Sequence, residues 1–450
     1  MSNNESFNHD IIIIGGGATG LLLGILLLLN KVDCCILEKQ QSRGADTKAT
    51  MLNAVNVNLF KYLDLINELD LSFSKSSKFN FHLNYKKMFE LDFEDEGYYL
   101  MIQPRLEEIL ENKYIKLGGI IKKNRTVEDF QELEDSILLN VTIGNTVENY
   151  TTKYAVGCDG AQSIIRKFSK IDFVKVNAIK NAFVTEGVYN ADFDKDVHMF
   201  LSDNDATSLI PLPNLTVRVG GLIANVENQE ELLNKKLMLI NSEVERYTPN
   251  KMVILKIQEG YAKTFYKDRF ILVGDAAHSV FPFGGQGLNY AFQDVFNLSW
   301  RLNKIIKNGD DYPDMLHEYD KERRLLFMDV INTADFSNLF TKIRSTNSYQ
   351  EFAREFLPLT KKLTHLYFNY SDSSLFGKKF LFQPHTLFPI NIKLENNLSI
   401  TQTNIVCHRR SVSKVKLKNV NICIIDEAYD LMCDYIIVRP DLVIQESVYN

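Results

Sequence analysis

The stretch IIIIGGGATGLLLGILLLLNKVDCCILE, residues 11–38, decides the fold. It opens on four isoleucines, Ile11 to Ile14, and β-branched residues favour a strand. Gly15, Gly17 and Gly20 follow in the spacing G-x-G-x-x-G, with Ala18 and Thr19 between the last two. An apolar run then suits a helix. A second apolar run, CCILE, ends on Glu38, 18 residues after Gly20. Strand, glycine turn, helix and acid in this order form the fingerprint of a Rossmann-like dinucleotide-binding unit. The glycines allow a tight turn and a close pyrophosphate, and the acid takes ribose hydroxyls. An acid at this place suits an unphosphorylated ribose, as in FAD. Lys39, the next residue, is included in the candidate site.

The same stretch has a plainer reading. Residues 11–29 are 19 consecutive residues without a charge, enough to span a bilayer or to mimic a leader. Against that, Glu5 and Asp10 precede the run, and the first basic residue is Lys31. The glycines at 15–17 would interrupt a spanning helix. A buried strand followed by a buried helix accounts for the run, and no transmembrane segment is expected.

A second segment, RFILVGDAAHSVFPFGGQGLNYAFQD at residues 269–294, fits the other half of such a site. Apolar Ile271, Leu272 and Val273 lead to Gly274 and Asp275, whose carboxylate suits a sugar-like hydroxyl. Pro282, Gly284, Gly285 and Gly287 let backbone approach a flat ligand. A helical pattern starts near Leu288 and Asn289, and a helix N-terminus stabilises negative charge. Reduced flavin is negative on its pyrimidine part, so this segment reads as the place where FAD is held and made reducible. His278 is read as a packed residue more readily than as a general base.

With these segments in place, the chain resembles the single-component FAD-dependent aromatic hydroxylases, the group of phenol and para-hydroxybenzoate hydroxylases. YAVGCDGAQSIIRK, residues 154–167, is similar to a family motif through Asp159, Gly160, Ser163 and Arg166. IQPRLEEIL, residues 102–110, resembles the segment that places Gln103 or Arg105 near the ribityl chain. YDKERR, residues 319–324, resembles the helix after the flavin motif. These matches run in order over residues 8–330. The resemblance implies that Arg43 lies beside the FAD phosphates or ribityl chain. It implies that Arg166 serves FAD or a passing NAD(P)H, the co-substrate. It further implies reduction by NAD(P)H, reaction with O2 to a flavin C4a-hydroperoxide, and hydroxylation of a small aromatic substrate, phenolic or polycyclic. Backbone at Pro282, Leu288 and Asn289 would assist, and no side chain need be a nucleophile. Two departures stand out. Phe281 replaces the first Pro of a frequent Pro-Pro pair, and KATM at residues 48–51 lacks an Arg, with Lys48 nearby.

Length and composition bound the rest. The chain has 450 residues, 45% hydrophobic and 24% charged, ordinary values for a soluble protein of two or three domains. A net charge of −6 speaks against nucleic acid as a main partner. Six scattered Cys without a C-x-x-C pair suit reduced, metal-free thiols in a cytoplasmic protein. The expected fold class is α/β, with an FAD-binding domain interleaved with an antiparallel-sheet substrate domain. The first takes residues 1–78, 101–169 and 266–305, and the second 79–100 and 170–265. Strands are expected near 181–190, 206–211 and 216–224, and a helix over 104–118. A helical segment, 306–376, and a small C-terminal α/β region, 377–450, complete the chain. There VRPDLVI, residues 438–444, resembles the end of a thioredoxin-like domain, read as a cap or a homodimer contact.

Of three rival readings, the first, a halogenase, is poor and the other two stay open. A halogenase needs a Trp-rich motif and a Lys, and Trp300 is the single Trp. A monooxygenase acting on an antibiotic-like polyketide shares every motif above. An FAD-binding protein without turnover, serving as an interaction partner, is the third.

Overall fold

The computed structural model of the protein describes most of residues 6–333 and, beyond them, 404–407, 421–424, 435–439 and 444–448. Residues 44–50, 224–230, 239–246, 281–284, 309–313 and 334–403 are among those outside the described residues. Pro282, Phe281, Phe283 and Lys48 fall there.

The opening run forms β1 (Ser6–Ile14), α1 (Ala18–Leu29) and β2 (Cys34–Glu38), with β1 and β2 parallel. A parallel strand covered on both faces is apolar throughout rather than alternating, and Ile11 to Ile13 are fully buried. Each such side chain contributes about 1.5–3 kcal/mol. Helix α1 is buried from Gly20 through Leu27, so it is an interior helix. That is why the charge-free run is long. No helix among the described residues is long and apolar enough to cross a membrane.

β3 (Met51–Asn53) and β4 (Ser74–Ser76) precede the hairpin of β5 (Lys78–Leu83) and β6 (Lys86–Asp92); β7 (Tyr98–Leu100) then pairs with β3 and β4. Helix α2 (Gln103–Lys116) carries Pro104 in its first turn, where a missing N–H costs nothing. β8 (Ile120–Lys123) is followed by a meander of β9 (Thr126–Glu132), β10 (Ile137–Ile143) and β11 (Thr146–Gly157). A short α3 (Ile164–Phe168) and β12 (Phe173–Lys175) come next.

The chain then lays down β13 (Lys180–Tyr189), β14 (Val197–Ser202), β15 (Asp205–Leu212), β16 (Thr216–Ile223) and β17 (Tyr247–Ile257). It returns through β18 (Gly260–Ala262), β19 (Tyr266–Lys267) and β20 (Phe270–Leu272) to a 3-10 turn, Gly274–Ala276, and β21 (His278–Ser279). Helices α4 (Gln286–Asn308) and α5 (Asp314–Thr333) follow. The last elements are β22 (Asn404–Cys407), β23 (Asn421–Ile424), β24 (Tyr435–Val438) and β25 (Ile444–Val448).

Two large sheets position the site. The first runs β19-β20-β11-β1-β2-β8, with β10 and β9 extending from β11. Its strands β20, β11, β1, β2 and β8 are parallel. Ile14 lies beside Gly157, and Gly157 beside Leu272. The carboxyl ends of β1, β11 and β20 therefore share one edge, the edge at which open α/β sheets bind ligands. The second sheet runs β17-β13-β16-β15-β14-β5-β6. It is antiparallel as expected, except that β5 lies parallel to β14. That strand arrives from a separate excursion of the chain, 78–92, and adds to an edge already formed. One face of this sheet has its own core, including Phe183, Leu209, Val217 and Val219. The C-terminal strands form a four-stranded mixed sheet, β23-β22-β24-β25. Cys423 and Val438 of that sheet are buried in the same core as α1 and α4.

Candidate active site

A cavity of about 960 Å³ runs from the carboxyl edge of the first sheet to the free face of the second. Gly16, Glu38 and Gln103 line one end, Asp275 and Leu288 the middle, and Arg218 the far end.

At the first end, β1 turns into α1 at Gly15, whose φ is +108°. A Cβ on Gly15 would meet the Cys158 carbonyl at 2.4 Å, so only Gly fits. Gly17, Ala18 and Thr19 line the cavity. Gly17 caps α1 without a side-chain bond, and the first turn holds no acid. The first-turn N–H groups have no intrahelical acceptor, so this helix end is a ready seat for an anion. Glu38 ends β2 with Oε2 accepting from Gly16 N at 2.7 Å and Oε1 accepting from Gln40 N at 2.8 Å. Arg43 lies on the same wall, paired with Glu111 and 3.9 Å from Glu107. Its Nε is buried without a hydrogen-bond partner. Lys123 also reaches Glu111, at 2.8 Å, and Gln103 donates to Glu107 at 2.8 Å. These observations fit FAD: an uncapped helix end for the pyrophosphate, a carboxylate for ribose hydroxyls, and a guanidinium with a spare donor beside them.

In the middle, Asp275 sits on the 3-10 turn after β20 and is exposed to the cavity. Gly287 stands close by, since a Cβ there would lie 3.8 Å from Asp275 Oδ1. Gly285, Gly287 and Leu288 of the α4 start line the same space. The role expected of Asn289 lies in its backbone N–H, and its side chain has a separate, structural task. Its side chain is fully buried and knots α4 to β3. Oδ1 accepts from Asn53 N and from Asn56 Nδ2, both at 2.9 Å, and Nδ2 donates to the Met51 and Gly285 carbonyls. Only its backbone, in the first turn of α4, remains available for the flavin role.

The Asp159 motif braces this edge. Asp159 Oδ2 accepts from Ile164 N at 2.6 Å, and Ser163 caps α3 by accepting from Arg166 N at 3.1 Å. Burial pushes the Asp159 carboxyl up, against its bonds from Ser163 and Ile164. Gly160 lines the cavity, as does Arg166, but Asp159 does not. The Arg166 guanidinium donates to the Ala276 carbonyl at 2.7 Å and the Ala161 carbonyl at 2.6 Å, and lies over the Phe173 ring. It ties the motif to the Asp275 turn.

Other expected residues stand elsewhere. Lys39 is exposed and off the cavity. Arg105 points to Glu108 at 2.7 Å on the outer side of α2. Gly20, inside α1, and Gly274, on the 3-10 turn, do not line the cavity, and Pro282 is outside the described residues. His278 is buried against Asp294 at 2.6 Å, away from the cavity.

At the far end the second sheet contributes Val184, Met199, Ile210 and Arg218. The Arg218 guanidinium is 3.7 Å from Glu186. Burial lowers its pKa to about 10, partly offset by Glu186, so it stays charged at neutral pH. Sequence reasoning did not find Arg218, Gly16, Glu107 or Glu111. Gly16 was legible inside the fingerprint; the others carry no local signal.

A family model described as FAD binding domain matches residues 8–334. The chain is 25% identical over 383 residues to rifampicin monooxygenase of Rhodococcus hoagii, covering 80% of this chain and 79% of that protein. Anhydrotetracycline hydroxylase OxyS from Streptomyces rimosus has the same fold, with a TM-score of 0.77 at 20% identity over 98% of this chain and 96% of that one. The flavin-dependent monooxygenase PieE, solved with FAD and substrate, gives 0.80 at 15% identity over 98% and 96%.

Proposed function

The chain belongs to the FAD-binding-domain family of flavin-dependent aromatic monooxygenases, and we propose that it hydroxylates a phenolic ring within a polycyclic, antibiotic-like substrate, using NAD(P)H and O2. The observation that carries this reading is the single cavity joining the dinucleotide turn, Asp275 and the start of α4 to the face of the second sheet. Bound FAD supplies the redox and oxygen chemistry.

The chain's own residues do the rest. Gly17, Ala18 and Thr19 hold the pyrophosphate with backbone N–H groups, and Arg43 supports it. Glu38 takes the ribose, while Asp275 and Gln103 take the ribityl chain. The N–H groups at Gly287, Leu288 and Asn289, with the α4 dipole, favour negative charge on the flavin pyrimidine. Apolar Val184, Met199 and Ile210 cover the substrate and exclude water. Arg218 beside them favours an ionisable phenol or enol.

On this reading, residues 1–78, 101–169 and 266–305 form the FAD portion and 79–100 with 170–265 the substrate portion. A cytoplasmic setting and a homodimer belong to the same proposal. The rifampicin and anhydrotetracycline monooxygenases among the relatives support a large polycyclic substrate, and pentachlorophenol 4-monooxygenase among them makes a single-ring phenol the competing class. Incubation with FAD, NADPH or NADH and air across phenols, naphthols and tetracyclic phenols tests it. A product one oxygen atom heavier from the tetracyclic members is expected. Turnover of simple phenols alone would overturn the polycyclic assignment, and no oxygenated product from any member would overturn the hydroxylase reading.

A further inference from the structure

Asp294 lies within α4, off the cavity and fully buried. Its Oδ2 accepts from Gly274 N at 3.0 Å and from His278 Nε2 at 2.6 Å. Its Oδ1 accepts from Arg323 Nε at 2.7 Å. One carboxylate thus joins α4, the 3-10 turn, β21 and α5. Burial alone would push the Asp294 carboxyl up, but His278 and Arg323 outweigh it and hold the carboxyl below its usual range. The charge is kept inside the fold, and removing a partner from such a group is costly.

Arg323 belongs to YDKERR, the segment that stood out in the sequence without a role in the cavity. Its neighbours grip the same piece of chain. Tyr319 Oη donates to the Leu272 carbonyl at 2.8 Å. Asp320 Oδ1 accepts from Phe265 N at 2.8 Å. Residues 265–278 are therefore held at four places by three side chains, Asp320, Tyr319 and Asp294, and Asp275 within this stretch faces the cavity. A buried polar network of this kind favours one geometry.

We propose that Asp294 is a positioning residue for the cofactor site, with Arg323 acting through it to fix the Gly274–Ala276 turn so that Asp275 faces the cavity. The inference rests on the reading that FAD occupies that cavity.

The test uses full-length protein stripped of flavin. FAD affinity is read from flavin fluorescence, the visible spectrum of bound flavin is recorded, and thermal unfolding is followed without FAD. The variants are Asp294→Asn, Arg323→Met, Arg323→Lys, Asp275→Asn and the Asp275→Asn/Asp294→Asn double. Asp294→Asn and Arg323→Met should each weaken FAD by about tenfold or more and shift the flavin spectrum. Arg323→Lys, which keeps the charge, should recover most of the affinity. The double variant should bind no worse than the weaker single, because both act on one contact. Affinity and spectrum like the unaltered protein in Asp294→Asn, or losses that multiply in the double, would overturn the proposal. Arg323→Met decides if Asp294→Asn does not fold, and unfolding of both without FAD would reduce the network to a structural one. Failure of the unaltered protein to bind FAD would overturn the cofactor reading and this inference together.

Discussion

Gly20 packs so closely beneath Gly15 that a Cβ on Gly20 would stand 2.0 Å from the Gly15 carbonyl oxygen. The obstacle is backbone, so it cannot rotate away. Gly20→Ala must shift α1 against the turn, at about 1–3 kcal/mol of stability. Moving the α1 N-terminus also moves the pyrophosphate seat, so FAD affinity should fall by more than about tenfold. Thermal unfolding and FAD titration measure both. Unchanged FAD affinity would argue that α1 is not that seat.

Glu38 accepts from Gly16 and Gln40 at the end of β2. Its ribose role concerns the adenosine half of FAD only. Glu38→Gln should weaken FAD by about tenfold, as expected for a hydrogen bond to a charged group. Binding of flavin mononucleotide, which lacks that half, should change little. Equal losses for both flavins would place Glu38 in the turn's folding rather than in ribose recognition.

Glu322 on α5 is fully buried between Arg301 of α4 and Arg439 after β24, at 3.0 Å and 2.7 Å. Burial pushes its carboxyl up, but Arg301 and Arg439 outweigh it and hold it far below the usual range. A folded pKa depressed below the unfolded value gives stability that is present above about 4.5 and lost as pH falls below it. Glu322→Gln leaves two buried guanidinium groups short of an anion and should cost about 3–5 kcal/mol at neutral pH. It should also flatten the acid limb of the unfolding profile. Arg439→Met should loosen the C-terminal sheet, seen as faster amide exchange in 421–424 and 435–438. Unaltered exchange there would contradict the role of this contact in docking the sheet.

His82 of β5 and His198 of β14 lie 3.0 Å apart, and His82 stacks on Phe200. Burial, with His198 and Lys87, lowers the His82 pKa to about 4 from 6.5. The folded value is the lower one, so this contribution is present above pH 6.5 and lost as pH falls toward 4. His82→Phe keeps a ring on Phe200 and removes the titration. The melting temperature of the variant should fall less steeply than that of the unaltered protein over this window. Parallel profiles would contradict the assignment.

Much of this was legible in the sequence where the signal is local. The expected strands near 181–190, 206–211 and 216–224 match β13, β15 and β16 within two residues. The alternation there reflects a sheet with one face on its own core and one on the cavity. The helix expected over 104–118 starts one residue earlier, because Pro104 is tolerated inside a first turn. What stayed hidden depends on pairs far apart in the chain. The Asn289 knot joins α4 to Asn53 and Asn56, 236 and 233 residues away, and the local sequence at the helix start gives no hint of it. Arg218 reads as one more residue of an alternating strand until the cavity face is known. Residues 334–376 of the expected helical segment lie outside the described residues.

The most direct test of the whole account is anaerobic reduction of the protein's flavin by NADPH and NADH, with and without polycyclic phenols. The account predicts bound FAD that NAD(P)H reduces, faster when a suitable polycyclic phenol is present. Bound FAD that neither nucleotide reduces under any of these conditions would contradict it and favour a flavin-binding protein without turnover.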